Sequence, residues 1–264
     1  MRLGIIGATG WLGGALTRAL IAKGMGPATE LVLLNRSGAR PPEFEQPRIG
    51  WARDVDDLME RSGAIVISVR PEDFAALRLR ASGRLVVSLM AGVPLAALQE
   101  TTGGRVVRAM PNAAAELGRS YTPWLAGADV TGEDRAFVRA LLARMGTEDE
   151  IGDEGQIDYL TALSGSGAAY PALLAAALLS HARTQGLPER VTLRAVEAVV
   201  CEGADMLRGR IGSALDLLET YCAYQGTTAA GLEAAAKGGF SESVASALEA
   251  ATQKTGRMWA GRGT

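Results

Sequence analysis

A chain of 264 residues, 48% hydrophobic and 21% charged, has the composition of a globular protein with ample material for one large or two ordinary domains. Its formal net charge of -2 gives no overall attraction to nucleic acid or to an anionic membrane, so neither is expected as a partner and any anion site must be local. Two cysteines, Cys201 and Cys222, have neither metal-ligand spacing nor the number of a disulfide framework; they are expected to be small buried hydrophobes, and no metal is expected.

The first strand, Leu3 to Ile6, begins so early that a cleavable leader has no room, and a cytoplasmic location is expected. It runs into Gly7-Ala8-Thr9-Gly10-Trp11-Leu12-Gly13 and then a helix-forming stretch to Lys23. Glycines permit a tight turn and close approach of backbone to a pyrophosphate, and the next helix offers unpaired N–H groups at its positive end. The spacing Gly-x-x-Gly-x-x-Gly is one residue wider than the commoner dinucleotide motif. A glycine-rich turn without a ligand is the competing reading, but the position at the head of a strand-helix alternation favours a dinucleotide.

Further apolar runs at Leu31 to Leu34, Ala64 to Val69, Leu85 to Leu89 and Val106 to Met110 read as strands. Helices are expected between them at Val55 to Arg61, Glu72 to Leu77 and Leu95 to Glu100, with a surface loop over Ser37 to Arg48. A further strand at Tyr121 to Ala126 and a helix at Glu133 to Met145 follow. Beyond Gly152 the strand signal disappears. Ala- and Leu-rich helices are expected at Gln156 to Leu163, Ala169 to Thr184, Val191 to Arg208, Ala214 to Tyr221, Ala229 to Lys237 and Ser241 to Trp259. The fold class is therefore α/β: a Rossmann-type doubly wound sheet over residues 1–152, then an all-helical domain over residues 153–264. The apolar run Ala168 to Leu179, broken by Pro171, is too short to span a bilayer and reads as a buried helix. The wide Ala/Leu faces call for a second copy to cover them, although a self-sufficient bundle is the alternative. The lone His181 reads as a helix-surface or core residue.

In such sheets ligands bind beyond the carboxyl ends of the strands. At the end of the second strand, Asn35-Arg36-Ser37 offers a guanidinium and two small hydrogen-bonding side chains where an NAD site would carry an acid, so NADP(H) is favoured. Val69-Arg70-Pro71 and Ala91-Gly92 follow the next two strands and are expected to line the same crevice, although Arg70 could equally be a helix-entry charge. After Met110-Pro111, Asn112 could face the nicotinamide or brace a turn.

The second domain opens with Ser164-Gly165-Ser166-Gly167-Ala168-Ala169-Tyr170, preceded by Glu154 and Asp158. Later comes Gln225-Gly226-Thr227-Thr228-Ala229-Ala230-Gly231-Leu232. With Met110-Pro111-Asn112, and in this order over essentially the whole chain, these blocks resemble the pyrroline-5-carboxylate reductase family, whose members reduce a cyclic imine to proline with NAD(P)H. The resemblance implies a Rossmann domain followed by a helical dimerisation domain, hence a homodimer or higher homo-oligomer. It implies that Ser164, Gly226, Thr227 and Thr228 meet the substrate, with backbone N–H groups on its carboxylate and the Thr228 hydroxyl near the ring nitrogen. Plain capping of a helix by the threonines is the competing reading. An iminium already carries its proton, so orientation over the nicotinamide and one hydrogen bond can suffice, consistent with the absence of a suggestive His-Asp pair or Lys base.

The chain departs from the family pattern where it has Ala168 for Pro, Ala113-Ala114 for Thr-Pro, and Ala223-Tyr224-Gln225-Gly226 where Ser-Pro-Gly-Gly is usual. These changes lie mostly on the substrate side. Three functions stay open: reduction of pyrroline-5-carboxylate, reduction of a related cyclic imine, and a non-catalytic NADP(H)-binding dimer serving as sensor or scaffold. A β-hydroxyacid dehydrogenase would bring a Lys-x-x-x-Asn pair in its second domain; the lysines are Lys23, Lys237 and Lys254, and none forms one.

Overall fold

The apolar runs of the first half become one eight-stranded sheet in the order β3-β2-β1-β4-β5-β6-β7-β8. Its strands are β1 (Arg2–Ile6), β2 (Glu30–Leu34), β3 (Ile49–Trp51), β4 (Ala64–Ile67), β5 (Leu85–Ser88), β6 (Arg105–Ala109), β7 (Ser120–Ala126) and β8 (Gly146–Glu150). β1 to β6 run parallel, β7 is antiparallel to β6, and β8 is parallel to β7. Every residue of β4 and β5 is buried, as expected where helices cover both faces of a parallel sheet. Successive residues feed opposite cores: Leu85 and Val87 join Leu16, Leu33 and Trp124, whereas Val86 joins Leu58, Ile65 and Phe74.

β3 and β8 were not expected from sequence. β3 is too short to show a period. β8 reads Gly-Thr-Glu-Asp-Glu, and its acids are legible only through their partners: Glu148 accepts from the Trp124 indole N–H at 2.6 Å, and Glu150 pairs with Arg135 and Arg139. Such a charged outermost strand also discourages pairing with another sheet.

This computed structural model describes residues 1–260. The chain divides into two compact units, one of residues 1–167 with the chain from 250 onward, the other Ala168–Glu249. In the first, helices α1 (Trp11–Ala22), α2 (Val55–Arg61), α3 (Pro71–Phe74), α4 (Leu95–Thr102) and α5 (Gly132–Leu142) wrap the sheet, and α6 (Glu154–Leu160) follows β8. The helix expected over Gln156 to Leu163 gives way after Leu160 to a wider π turn at Thr161–Gly165. There the Thr161 and Ser164 hydroxyls donate to the carbonyls of Ile157 and Leu160 at 2.7 and 2.9 Å.

The remaining helices are α7 (Ala169–Arg183), α8 (Glu189–Glu197), α9 (Gly203–Asp205), α10 (Ala214–Ala223), α11 (Thr227–Lys237) and α12 (Phe240–Ala260). The single helix expected over Val191 to Arg208 is α8 and α9 separated by a π turn at Ala198–Glu202. Pro171 does not break α7, because it sits in the first turn, where its missing N–H removes no intrahelical hydrogen bond.

Ala168–Glu249 buries only Thr192, Val196 and Ala229 within one chain. Leu173, Ile211 and Leu215 are 69%, 72% and 72% exposed. The expected burial of α7, Cys201 and Cys222 is therefore not met inside a single chain: α7 has no buried residue, and both thiols are free and exposed. His181 is exposed. By length and composition the helical run Glu154–Arg183 could cross a membrane, with 6% of its most apolar window buried.

Candidate active site

Five of the sequence-predicted segments lie at the carboxyl ends of neighbouring parallel strands. Gly7 to Leu12 follow β1, Asn35 to Ser37 follow β2, Val69 to Pro71 follow β4, Ala91 and Gly92 follow β5, and Asn112 follows β6. The sheet order puts β1 between β2 and β4, so the glycine turn has Asn35-Arg36-Ser37 on one side and Val69-Arg70-Pro71 on the other.

The turn is close-packed backbone. Gly7 has φ +83°, its N–H donates to the Leu34 carbonyl at 2.8 Å, and a Cβ there would lie 2.1 Å from the Ser68 carbonyl oxygen. A Cβ on Gly13 would lie 2.3 Å from the Gly7 carbonyl oxygen. Ala8 is fully buried, so only its backbone is available to a ligand, whereas Trp11 is 63% exposed at the start of α1. Gly10 caps α1 with no side-chain hydrogen bond and no acid stands in the first turn, which keeps the helix's positive end open to an anion.

Beyond β2, the Asn35 amide N–H donates to the Ala39 carbonyl at 2.5 Å, and its Oδ1 is buried without a partner. The Ser37 hydroxyl accepts from the Ala39 N–H at 3.3 Å. Arg36 is 83% exposed on its side chain and pairs with Asp73 of α3 at 3.0 Å. Asp73 is a site residue that sequence reasoning missed, since no local pattern announces a contact made over 37 positions. These features fit a phosphorylated dinucleotide: an orphaned amide oxygen suits a ribose hydroxyl, and a solvent-facing guanidinium suits a 2′-phosphate.

Arg70 caps α3 through its backbone, with an exposed side chain and Pro71 in the first turn. Gly92 has a packing reason to be glycine: its φ is +69°, and a Cβ would lie 2.7 Å from Met258 Cβ and 2.8 Å from the Thr255 carbonyl oxygen of α12. Trp259 of the same helix meets Phe74 of α3 with ring centroids 6.2 Å apart. Asn112 braces a turn, its Oδ1 accepting from the Ala114 N–H at 3.0 Å.

At the end of β6 the Arg108 side chain, 3% exposed, pairs with Glu154 and, at 3.0 Å, with Asp158 of α6. The Leu95 N–H also donates to Glu154, at 2.7 Å. Burial lowers the Arg108 guanidinium from its ordinary value, and the hydrogen bond it donates to Asp158 opposes that shift. This clamp leads α6 into the turn that carries Ser164, where a Cβ on Gly165 would lie 3.4 Å from Met110. The resemblance had marked Glu154 and Asp158; Arg108 as their partner was not foreseen.

Gly226, Thr227 and Thr228 lie in the other compact unit. Gly226 caps α11 in extended conformation and no side chain caps its first turn, so neither threonine serves as the cap. Just before it Gln225 has φ +53°, and Tyr224 is 87% exposed. Among the described residues no group of three or more His, Cys, Asp or Glu is placed to hold a metal ion.

Residues 154–258 match the family model for pyrroline-5-carboxylate reductase dimerisation, and residues 2–92 match that of NADP oxidoreductase coenzyme F420-dependent proteins. The pyrroline-5-carboxylate reductase of Thermus thermophilus is 32% identical over 96% of this chain and 97% of its own length. The 1-pyrroline-5-carboxylate reductase structure from Streptococcus pyogenes superposes with a TM-score of 0.85 at 29% identity, covering 98% of this chain and 99% of that one. The pyrroline carboxylate reductase of Plasmodium falciparum with NADP bound has the same fold, with a TM-score of 0.83 at 22% identity over 98% of each chain.

Proposed function

This chain belongs to the pyrroline-5-carboxylate reductase family, and we propose that it reduces pyrroline-5-carboxylate to proline with NADPH as a cytoplasmic homodimer or higher homo-oligomer. The observation that carries the reading is that likeness to these reductases runs through both halves of the chain. A match of the dinucleotide half alone would have left the substrate open.

When bound, NADPH supplies a hydride to the imine carbon. In the protein, the Gly7 to Leu12 turn and the open end of α1 hold the pyrophosphate, Asn35, Arg36 and Ser37 hold the adenosine ribose and its phosphate, and Val69, Arg70, Pro71, Ala91, Gly92 and Asn112 line the crevice. The first turn of α11, through the N–H groups at Gly226, Thr227 and Thr228, takes the substrate carboxylate. Ser164 is a further substrate-binding residue, and the Thr228 hydroxyl bonds the ring nitrogen. The substrate enters as the iminium, whose nitrogen already bears a proton, so these residues orient it and no side-chain acid is required.

The match of residues 154–258 to a dimerisation model accounts for the bare apolar helices: a second copy covers them. That reading also takes the apolar stretch Glu154–Arg183 as an interface between copies instead of a membrane span.

A second reading, reduction of a related cyclic imine, draws on Tyr224 and Gln225, two bulky side chains beside α11. A panel of five- and six-membered cyclic imino acids, read by NADPH absorbance, tests both. Fastest turnover on pyrroline-5-carboxylate is expected; faster turnover on another ring would favour the second reading. NADPH binding without turnover on any of them would leave only a sensor or scaffold.

A further inference from the structure

The loops after β2 and β4 stand on opposite sides of the glycine turn, because β1 lies between those strands. They are joined across it by one ion pair, Arg36 Nη1 to Asp73 Oδ1 at 3.0 Å. The two ends are unequal: the Arg36 side chain is 83% exposed and the Asp73 side chain 37%. Arg36 follows β2 by two residues, whereas Asp73 is seated in α3, one residue before the fully buried Phe74. The carboxylate is thus the anchored partner and the guanidinium the movable one.

We propose that Asp73 sets cofactor preference by occupying Arg36 until a 2′-phosphate displaces it. The inference rests on the NADPH reading of Asn35-Arg36-Ser37 and extends it to a residue in another loop. A carboxylate and a phosphate monoester are rival acceptors for the same planar donor fork. NADPH brings a dianionic group that takes Arg36 over, so the Arg36–Asp73 pair is exchanged for a stronger one. NADH brings only a hydroxyl, which cannot compete, and the pair persists. Asp73 therefore weakens NADPH binding by the free energy of the pair it gives up.

The test is calorimetric titration of the intact oligomer with NADPH and with NADH. Asp73→Asn is expected to tighten NADPH by about two- to five-fold, the range for an exposed ion pair, and to leave NADH unchanged. Asp73→Ser should do the same, and Asp73→Glu should restore wild-type affinity. In the Arg36→Ala background, Asp73→Asn should have no effect on NADPH. If Arg36→Ala weakens NADPH selectively but Asp73→Asn leaves NADPH unchanged, or tightens both cofactors equally, the exchange is wrong while the phosphate site stands. If Arg36→Ala weakens both cofactors equally, the phosphate site itself fails and the exchange fails with it.

Discussion

Arg108 and Asp158 are joined by an ion pair of 3.0 Å that ties the carboxyl end of β6 to α6, with Glu154 completing the clamp. The guanidinium is almost wholly buried, whereas Glu154 and Asp158 are 41% and 25% exposed. Removing the carboxylates leaves a charge stranded inside the protein; removing the arginine leaves two acids that still reach water. The double variant Glu154→Gln with Asp158→Asn should therefore cost about 3–5 kcal/mol, and Arg108→Met less. Denaturant unfolding of both variants checks this, and equal losses would contradict it.

Acid should expose a second pair. Asp134 is held at a pKa of about 2, first by the hydrogen bond from Arg105 and then by the Thr131 backbone and hydroxyl. A carboxyl depressed in the folded state stabilises fully above its unfolded pKa of about 4, and that contribution is lost as pH falls through the folded value. Asp134→Asn should be less stable than the parent by about 2 kcal/mol at neutral pH, with the difference shrinking between about pH 4 and pH 2. A difference that stays constant over that window would rule out the pair as its source.

Gln225 occupies the left-handed region at φ +53°, where family members usually have glycine. A side chain there costs about 1 kcal/mol, so Gln225→Gly should raise stability by up to that amount. A β-branched residue is worse still, and Gln225→Val should lower stability. Melting curves of the two variants should move in opposite directions.

The glycine turn tolerates substitution unequally. Gly7→Ala meets the Ser68 carbonyl at 2.1 Å and adopts φ +83°, so neither space nor backbone permits it. At Gly10 the nearest atom to an added Cβ is 3.2 Å away and φ is negative. Gly7→Ala should cost about 2–4 kcal/mol and abolish NADPH binding, whereas Gly10→Ala should keep the fold. Thermal melts with and without NADPH separate the two.

Three buried residues cannot support the unit Ala168–Glu249 in a lone chain. If association supplies the missing core, the melting temperature should rise with protein concentration and dilution should bring unfolding. A concentration-independent melt of a monomer, established by light scattering, would overturn the oligomer.

Local pattern by itself determined the strands whose residues are buried on both faces, the glycine turn, and the position of Arg36 after β2, because each depends on neighbours a few residues away. It also determined that the second half is helical, since Ala and Leu at helical spacing carry that information without a partner. Pairings between distant segments were decided only by tertiary structure. Arg36 meets Asp73 over 37 positions and Arg108 meets Asp158 over 50, and no periodicity encodes which charge the fold will bring alongside which. The same holds for β8, whose acids become intelligible beside Trp124, Arg135 and Arg139, and for Gly92, whose lack of a side chain admits α12. Propensity is a property of a segment, whereas burial, ion pairing and close backbone approach belong to pairs of segments, and they exist only once the chain has closed on itself.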